Sequence, residues 1–595
     1  MGRRASSGDV LRAAALAVTI SGLWCVVSGR TNLDAWRVPV DYRGDSWFTL
    51  ATLKAARDGH VVPLATLEVP ELNAPYGASW NDFLRQHKLQ YWLAGRLARA
   101  CGLFAASNLL LLLAAVLAGW SFYAVARYFR SRPEWAFAGA CTFALSPFFF
   151  YRSLPHLTLS FDWPIPPAIL VVTWCFGRSG LRLGSRRLWV AVAIVFVTGL
   201  HNIYYAGLLA QFLGLASLAP LVTRRAPGSA LAPLILLGVL VASVVADNAN
   251  VIAYGARHGP TLDKLLRPYG NLERYALKPI ELLLPAGGSG GLFPFPSLAA
   301  AYYQGALYRG EMGSAYLGLG GIAALASLVL AAVRSHLLRS SGRVPAAFLA
   351  VAWILVGSVV GGLNGVLGAL GFVWFRATNR HSIWILALIL LWGAGRISRA
   401  RWTRRRGVSL LASGLAAALA LGDQLPPRTP TSEIESVRAV IASDATLSRK
   451  LEAELPPGAM LFQLPVADFP EGPRIGSAID YEHLRPYLFT SRLRFSYGSD
   501  KGRAREAWQH RMEELPQETM VDALERCGFA GILLNRKAYA DGGQGLRERL
   551  AASGRPEAWE SPDREFLFVR LRPATNPAPP DEVVLKAAPP PAPTD

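Results

Sequence analysis

Residues 10–28, VLRAAALAVTISGLWCVVS, are the stretch that decides the fold. An α-helix needs about 17–25 predominantly apolar residues to cross the hydrocarbon core of a bilayer, and this run meets that requirement. Basic residues precede it, as in a signal peptide, but no A-x-A cleavage site follows, so we expect an uncleaved first membrane helix. A short polar sequence comes soon after it, Asp41-Tyr42-Arg43-Gly44-Asp45.

Apolar runs of similar length recur as far as residue 423. They lie at 105–126, 134–150, 164–176, 188–201, 203–222, 229–247, 313–333, 345–360, 381–397 and 408–423. Arginine clusters follow alternate runs, and loops rich in Lys and Arg face the cytoplasm. The pattern predicts a polytopic α-helical membrane protein with about eleven transmembrane helices. Its N-terminus is expected in the cytoplasm, and the chain after the last helix outside it.

The distribution of charge supports a membrane protein. The chain has 61 Lys and Arg against 41 Asp and Glu, and its mean hydropathy is +0.27. Up to residue 424 there are 39 basic and 16 acidic residues, whereas 22 and 25 follow. The basic excess therefore lies in short loops between apolar runs, which is typical of an inner membrane protein and argues against nucleic-acid binding. Five cysteines without a CxxC pair predict neither a disulfide framework nor a cysteine metal site.

The chain after residue 425 has a different character. A proline-rich linker leads to a helical stretch, and short apolar strands then alternate with further helical stretches. This pattern predicts a small extracytoplasmic α/β domain, followed by a disordered Pro/Ala-rich terminus. The predicted divisions are a transmembrane domain 1–424, with a first extracytoplasmic loop 29–104 and a large extracytoplasmic loop 248–312, a soluble domain 425–573 and a tail 574–595.

Asp41 and Asp45 lie near the start of the first extracytoplasmic loop. A carboxylate in this place can act as a general base on an acceptor hydroxyl, or hold a divalent cation against a phosphate leaving group. The structural alternative is that Asp45 is the N-cap of a helix beginning at Ser46. The residues alone leave these roles open.

The predicted topology gathers polar residues on the extracytoplasmic face, which indicates a site at that surface. Arg376 and Arg380 would share one face of a helix, and two guanidiniums suit a phosphate or pyrophosphate. The alternative for these arginines is that they anchor the chain to lipid headgroups. Two further polar residues of this face have structural alternatives: His156 can be a buried structural histidine, and Glu311 can be a favourable charge at a helix N-terminus.

Four segments, in order over most of residues 30–400, resemble the GT-C superfamily of membrane glycosyltransferases, and bacterial members in particular. They are the acidic first loop, Phe143-Ala-Leu-Ser-Pro147 with Arg152 and His156-Leu157, Trp163-Pro164-Ile165-Pro166, and Phe375-Arg376-Ala-Thr-Asn379-Arg380. The better known members have Asp-x-Asp where this chain has Asp-x-x-x-Asp. The resemblance therefore leaves open which of Asp41 and Asp45 is catalytic.

The resemblance implies a polyprenyl-phosphate-linked sugar as donor and an envelope glycan, lipid or protein as acceptor, in a bacterial inner membrane. Asp45 or Asp41 would deprotonate the acceptor hydroxyl in an inverting displacement. The donor phosphate would be bound by Arg376, Arg380 and Arg152, and the auxiliary or substrate-binding residues would be His156, Asp162, His201, Asn379 and Glu311. No cofactor is demanded, although Asp41 and Asp45 are suited to a divalent cation.

A non-enzymatic envelope protein is the competing hypothesis, either a polysaccharide or lipid transporter or an assembly subunit. A transporter is expected to contain internal repeats and charged or broken helices near the bilayer midplane. We find no repeat in the sequence, and its charges lie at the predicted helix ends. The sequence therefore favours the enzyme hypothesis. It determines neither the sugar nor the acceptor.

Overall fold

The computed structural model describes residues 7–63, 67–81, 87–177, 181–222, 227–259, 261, 267–285, 295–337 and 344–587. The chain forms two compact units, each assembled from separate stretches of sequence. The first unit consists of Met1–Trp36, Asn108–Asp247 and Arg267–Pro430, and the second of Arg37–Ser107, Asn248–Leu266 and Thr431–Asp595. Most of residues 29–104, the first predicted loop, thus groups with the C-terminal segment, whereas the predicted divisions placed it in the transmembrane domain.

The described residues of the first unit form helices joined by turns and loops, with an isolated β-bridge between Leu277 and Val359. Its α-helices are Ser7–Val27, Leu33–Trp36, Leu103–Tyr128 (which begins in the second unit), Pro133–Ala144, Pro147–Arg152, Leu157–Ser160, Ile165–Phe176, Arg186–Gly199, Ile203–Val222, Leu231–Asp247, Gly270–Arg274, Phe295–Gly305, Gly318–Leu337, Ala346–Ser358, Leu363–Ala369, Ser382–Ile397 and Arg406–Gln424. Short 3₁₀ helices occur at Pro227–Ala230, Pro279–Leu282, Thr378–His381 and Arg401–Arg404.

Six helical stretches among the described residues are long and apolar enough to cross a membrane, so the chain is a membrane-embedded protein. They are Gly8–Val27, Leu103–Tyr128, Ile203–Val222, Gly228–Asp247, Gly318–His336 and Arg406–Gln424. The other five predicted runs coincide with helices of 12 to 16 residues. These are shorter than a perpendicular crossing requires, and the count of eleven stays a prediction.

One of these short helices has a clear local cause. The run predicted at 134–150 is divided at Ser146, whose side chain accepts a hydrogen bond from the amide of Phe149. Pro147 occupies the first turn of the helix that follows, where its missing N–H is not needed. The predicted run is therefore two helices, Pro133–Ala144 and Pro147–Arg152. The second is short and capped by Ser146, and Arg152 is its last residue.

The second unit contains a mixed β-sheet. Its strands are β1 Glu68–Val69, β2 Ala78–Ser79, β3 Met460–Leu464, β4 Arg494–Phe495, β5 Phe529–Asn535, β6 Ala558–Glu560 and β7 Phe566–Arg570. β1 and β2 form an antiparallel pair, and the other five form one sheet in the order β4-β3-β5-β7-β6. β3 runs parallel to β4 and β5, whereas β7 is antiparallel to β5 and β6. Every residue of β3 and β5 is buried, as expected of central strands.

The second unit also contains helices, and the last four α-helices along the chain contribute to the hydrophobic core of the sheet. The α-helices of this unit are Asp45–Asp58, Lys88–Cys101, Ala249–His258, Thr431–Glu454, Ala504–Glu513, Gln517–Arg526, Gln544–Ala552 and Pro580–Ala587, with 3₁₀ helices at Glu482–Leu484, Pro486–Phe489 and Arg536–Ala538. Helix Pro580–Ala587 lies within the segment predicted to be disordered. Its Val583 and Val584 are buried in the core, which accounts for the order there.

The first loop covers the edge of the sheet at β4. The amide of Ala74 donates to the carbonyl of Phe495, and the amide of Phe495 donates to the carbonyl of Glu71, both at 2.8 Å. The indole of Trp80 donates to the carbonyl of Gly498 at 3.1 Å. An open strand edge is a template for unwanted pairing, so this cover protects the sheet. It also fixes the first loop to the C-terminal segment by backbone hydrogen bonds.

Candidate functional site

The two acidic residues of the first loop have different environments. Asp41 accepts hydrogen bonds from Ser46 Oγ at 2.6 Å and from Arg43 Nε at 3.1 Å. Helix Asp45–Asp58 begins at Asp45, and the residue before it, Gly44, has a positive φ of 51° that favours glycine. Asp45 is therefore in the first helical turn and is not the N-cap. The carboxylate of Asp41 is engaged locally in holding the start of this helix.

Asp45 lies near a second carboxylate, Asp480, which the sequence analysis did not identify. Phe48, one turn after Asp45, stacks on Tyr481 with ring centroids 4.8 Å apart and planes 10° apart. Burial and the charge of Asp45 raise the pKa of Asp480 to about 7. No spacing or motif links residue 480 to the first loop, because the pairing arises only from the tertiary fold.

A buried ion cluster holds the residues on both sides of Asp45. Tyr42 Oη donates to Asp444 Oδ2 at 2.7 Å, and Arg485 Nη2 lies 2.7 Å from Asp444 Oδ1. The guanidinium carbon of Arg485 is 5.7 Å from the ring centroid of Trp47. The side chain of Arg485 is 1 % exposed and faces four carboxylates, those of Asp444, Glu482, Asp563 and Glu565. The acidic motif is thus anchored to the C-terminal segment through its tyrosine and through the tryptophan that follows it.

Two of the three predicted phosphate-binding residues, Arg152 and Arg380, meet in the first unit. Glu311 bridges two arginines, with Oε2 2.7 Å from Arg152 Nη2 and Oε1 2.6 Å from Arg380 Nη2. Arg152 Nη2 also donates to Ser314 Oγ at 3.2 Å, and Asn379 Nδ2 donates to the same oxygen at 3.4 Å. Burial opposes ionisation of Glu311, but the two guanidiniums hold its pKa well below its usual range. Glu311 is therefore an ion-pair partner of these arginines and not a helix N-terminal charge.

Arg376 and Arg380 do not share one face of an α-helix. Arg380 belongs to the 3₁₀ helix Thr378–His381, and Arg376 lies before it. The guanidinium carbon of Arg376 is 5.2 Å from the ring centroid of Tyr275, and that of Arg380 is 4.5 Å from the ring centroid of Tyr204. The helical expectation failed because this segment is too irregular for a spacing of four residues to define a face.

Several polar atoms around the Arg–Glu cluster are buried without a hydrogen-bond partner. Arg152 and Asn379 have no exposed surface, yet Nε and Nη1 of Arg152 and Oδ1 of Asn379 are unsatisfied. More than about 90 % of buried polar groups in proteins are satisfied, so each exception calls for an explanation. A polar ligand that offers acceptor oxygens would satisfy the two N–H groups of Arg152.

The remaining predicted residues lie in the same unit. Burial, and then the charges of Arg152 and Arg380, lower the pKa of His156 to about 3, so its imidazole is neutral at physiological pH. Asp162 is fully buried with both carboxyl oxygens unsatisfied, and burial raises its pKa well above the usual range. His201 Nε2 is 2.6 Å from the carbonyl oxygen of Phe161, a contact that positions the ring structurally.

The structure thus distributes the predicted site residues over both units. Asp41 and Asp45 belong to the second unit, and the arginine, histidine and Glu311 candidates belong to the first. The first unit combines long apolar helices with a buried Arg–Glu cluster, which defines a membrane-embedded helical protein with a polar site. The chain belongs to the family described as Domain of unknown function (DUF6311), whose model matches residues 103–421.

A comparison with curated proteins gives no match. Among solved structures, ArnT from Cupriavidus metallidurans bound to undecaprenyl phosphate aligns with a TM-score of 0.42 and 13 % identity, over 97 % of this chain and 100 % of that one. The archaeal oligosaccharyltransferase AglB from Archaeoglobus fulgidus, in complex with an inhibitory peptide and a dolichol-phosphate, aligns with a TM-score of 0.43 and 12 % identity. That alignment covers 96 % of this chain and 75 % of the archaeal chain.

Proposed function

We propose that this protein is a membrane glycosyltransferase of the GT-C type. It transfers a sugar from a polyprenyl-phosphate-linked donor to an envelope glycan, lipid or protein on the extracytoplasmic face. The observation that supports this proposal most directly is the buried guanidinium of Arg152, which has two unsatisfied N–H groups beside the Glu311–Arg380 ion pair. Deletion of the gene should remove one sugar mass from an envelope glycolipid or polysaccharide, and an unchanged envelope glycan profile would contradict the proposal.

The donor phosphate is assigned to the arginine cluster of the first unit. Two guanidiniums share the single carboxylate of Glu311, so these three side chains carry a net positive charge. Planar guanidiniums bind phosphate oxygens with two parallel hydrogen bonds. The neutral imidazole of His156 can hydrogen-bond to the donor without adding charge. These properties suit an anionic headgroup that becomes a phosphate leaving group.

The base is assigned to Asp45 in the second unit. Asp45 accepts the proton of the acceptor hydroxyl, whose oxygen attacks the anomeric carbon while the bond to the phosphate oxygen breaks. The phosphate departs with the electron pair as polyprenyl phosphate, and the arginines stabilise its charge. Asp41, whose carboxylate accepts hydrogen bonds from Ser46 and Arg43, is the alternative base. Asp480 adds a second carboxylate beside Asp45, and burial and the charge of Asp45 raise the pKa of Asp480 to about 7.

Arg152→Lys and Arg380→Lys are expected to weaken binding of the lipid donor. Lysine keeps the positive charge but cannot form the forked contact, so each change should cost about 1–3 kcal/mol of binding free energy. The measurement is the Kd for polyprenyl phosphate with the full chain in lipid nanodiscs. Arg376→Lys, which alters an arginine stacked on Tyr275, should also weaken donor binding.

Arg401→Lys is the matched control, because Arg401 is exposed and outside the cluster. It should bind donor as the wild type does. If Arg152→Lys and Arg380→Lys fold, insert and bind like the wild type, the arginines act as headgroup or structural anchors and the donor site lies elsewhere.

The proposed orientation places the N-terminus in the cytoplasm and the second unit outside. A reporter enzyme that is active only outside the cytoplasm, fused after Leu425, is therefore expected to be active. The same reporter fused after Arg130, in the loop following the second predicted helix, should be inactive and serves as the control. The reverse result for the two fusions would assign the acidic motif to the cytoplasmic face and exclude an extracytoplasmic reaction.

A further inference from the structure

Three potential metal ligands converge in the second unit, and none of them is a residue assigned to sugar transfer. Glu506 and His510 lie four residues apart in helix Ala504–Glu513, a spacing that places two side chains on one face. Asp468 comes from the loop after β3. His510 Nε2 lies 3.1 Å from Asp468 Oδ1 and 2.7 Å from Glu506 Oε1, and one ligand atom from each residue lies within 4.8 Å of the others.

These separations suit a single cation. Zinc binds imidazole nitrogen and carboxylate oxygen at about 2.0–2.2 Å, so neighbouring ligand atoms in a tetrahedral site are roughly 3–3.5 Å apart. The three side chains also line a cavity of about 410 Å³, which leaves room for water to complete the coordination. Mixed nitrogen and oxygen ligands favour a divalent transition-metal ion over calcium or magnesium.

The loop that carries Asp468 is held in place independently of any cation. The amide of Lys501 donates to the carbonyl of Phe469 at 2.7 Å, next to the single bridge between Phe469 and Asp500. The third ligand is thus positioned before a cation arrives, which lowers the entropic cost of binding. Lys501 is the one basic side chain besides His510 among the residues lining the cavity, and its Nζ donates to the carbonyl of Glu471 at 2.9 Å.

We propose that Asp468, Glu506 and His510 bind a divalent transition-metal cation of the zinc class. The cation joins helix Ala504–Glu513 to the loop after β3 and keeps water at its open position. The alternative is that the three side chains form an ion-pair cluster and nothing more. A metal site and an ion-pair cluster can be told apart by measuring cation binding. Binding of a cation requires all three ligands at once, and the positive charge of Lys501 opposes it.

The test uses the tag-free full chain in detergent, treated with chelator and then dialysed against Zn²⁺, with Co²⁺ as a spectroscopic probe. The expected result is one Zn²⁺ per chain and a visible Co²⁺ absorption band. Asp468→Asn, Glu506→Gln and His510→Ala should each weaken Zn²⁺ binding at least about 10-fold, since even supporting residues of metal sites have effects of this size. Glu514→Gln, a change at an exposed residue of the same region, should leave it unchanged.

Lys501→Met provides a second measurement that does not depend on losing binding. Removal of the opposing charge should tighten Zn²⁺ binding while the chain stays folded. The proposal is overturned if the wild-type chain binds no stoichiometric Zn²⁺, or if the three ligand variants and Lys501→Met all bind it as the wild type does. Either of these results would identify the three residues as an ion-pair cluster only.

Discussion

Asp45→Asn is expected to lower the rate of sugar transfer by about 10²–10⁴-fold, the contribution of a positioned general base. Asparagine keeps the size and much of the hydrogen bonding of aspartate but cannot accept the proton of the acceptor hydroxyl. Because Asp45 is in the first turn of helix Asp45–Asp58, loss of its charge weakens its favourable interaction with the helix dipole by a small amount. Protein abundance and donor binding should therefore stay normal. Turnover of donor in nanodiscs measures the effect.

Asp41→Asn is the matched control. Its remaining carbonyl oxygen can still accept the hydrogen bond from Ser46, so the start of the helix and the rate should both persist. Asp480→Asn tests the carboxylate pair. Because the pKa of Asp480 is raised to about 7, the charge beside Asp45 changes near neutral pH, and Asp480→Asn should remove that change from the pH–rate profile. Wild-type turnover in Asp45→Asn would end the assignment of Asp45 as the base, and a loss confined to Asp41→Asn would transfer that role.

Arg485→Met is expected to lower the free energy of unfolding by about 3–5 kcal/mol, since breaking a buried ion pair leaves charge without compensation. The guanidinium is 1 % exposed, and its partners Asp444 and Glu482 are each buried to the same degree. Methionine fills much of the volume but leaves these carboxylates facing one another. Urea-induced unfolding of the full chain in detergent, followed by tryptophan fluorescence, measures the loss.

Arg511→Met is the matched control for that experiment. Arg511 pairs with Asp581 at 3.2 Å, but both side chains are more than 40 % exposed. An exposed pair of this kind contributes about 0–1 kcal/mol. Equal effects of the two substitutions would show that the Arg485 cluster is not an electrostatic anchor for the acidic motif.

The sequence predicted the helices better than it predicted their lengths. Apolar runs indicate helices because period and composition are local properties, and the six long spans confirm that part of the prediction. Helix ends depend on details such as the cap at Ser146, which hydropathy alone does not reveal. The disordered tail was predicted from its Pro/Ala composition, and the burial of Val583 and Val584 by the core could not be read from that composition.

The candidate site was only partly predictable for the same reason. Arg152, Arg380 and Glu311 were each identified from local sequence, but the ion pairs that join them connect distant segments. Asp480 and Arg485 were missed entirely. Their significance comes from Asp45 and Tyr42, which approach them only in the folded second unit. Local sequence patterns therefore indicated individual candidate site residues. The residues that pair with them are determined by tertiary contacts, which those patterns do not contain.

The second unit is formed by three separate stretches of the chain, which bears on whether the number of membrane crossings between them is even or odd. If the second unit lies on one side of a bilayer, as the proposed orientation requires, the chain crosses an even number of times between its three stretches. Between residues 107 and 248, however, the described chain has three long apolar spans, Leu103–Tyr128, Ile203–Val222 and Gly228–Asp247. An odd number of further crossings must then come from the shorter helices of that interval. Tilting, local thinning of the bilayer, or extension by adjoining turns would let a helix such as Ile165–Phe176 cross. The proposed orientation therefore requires at least one crossing in addition to the six long spans.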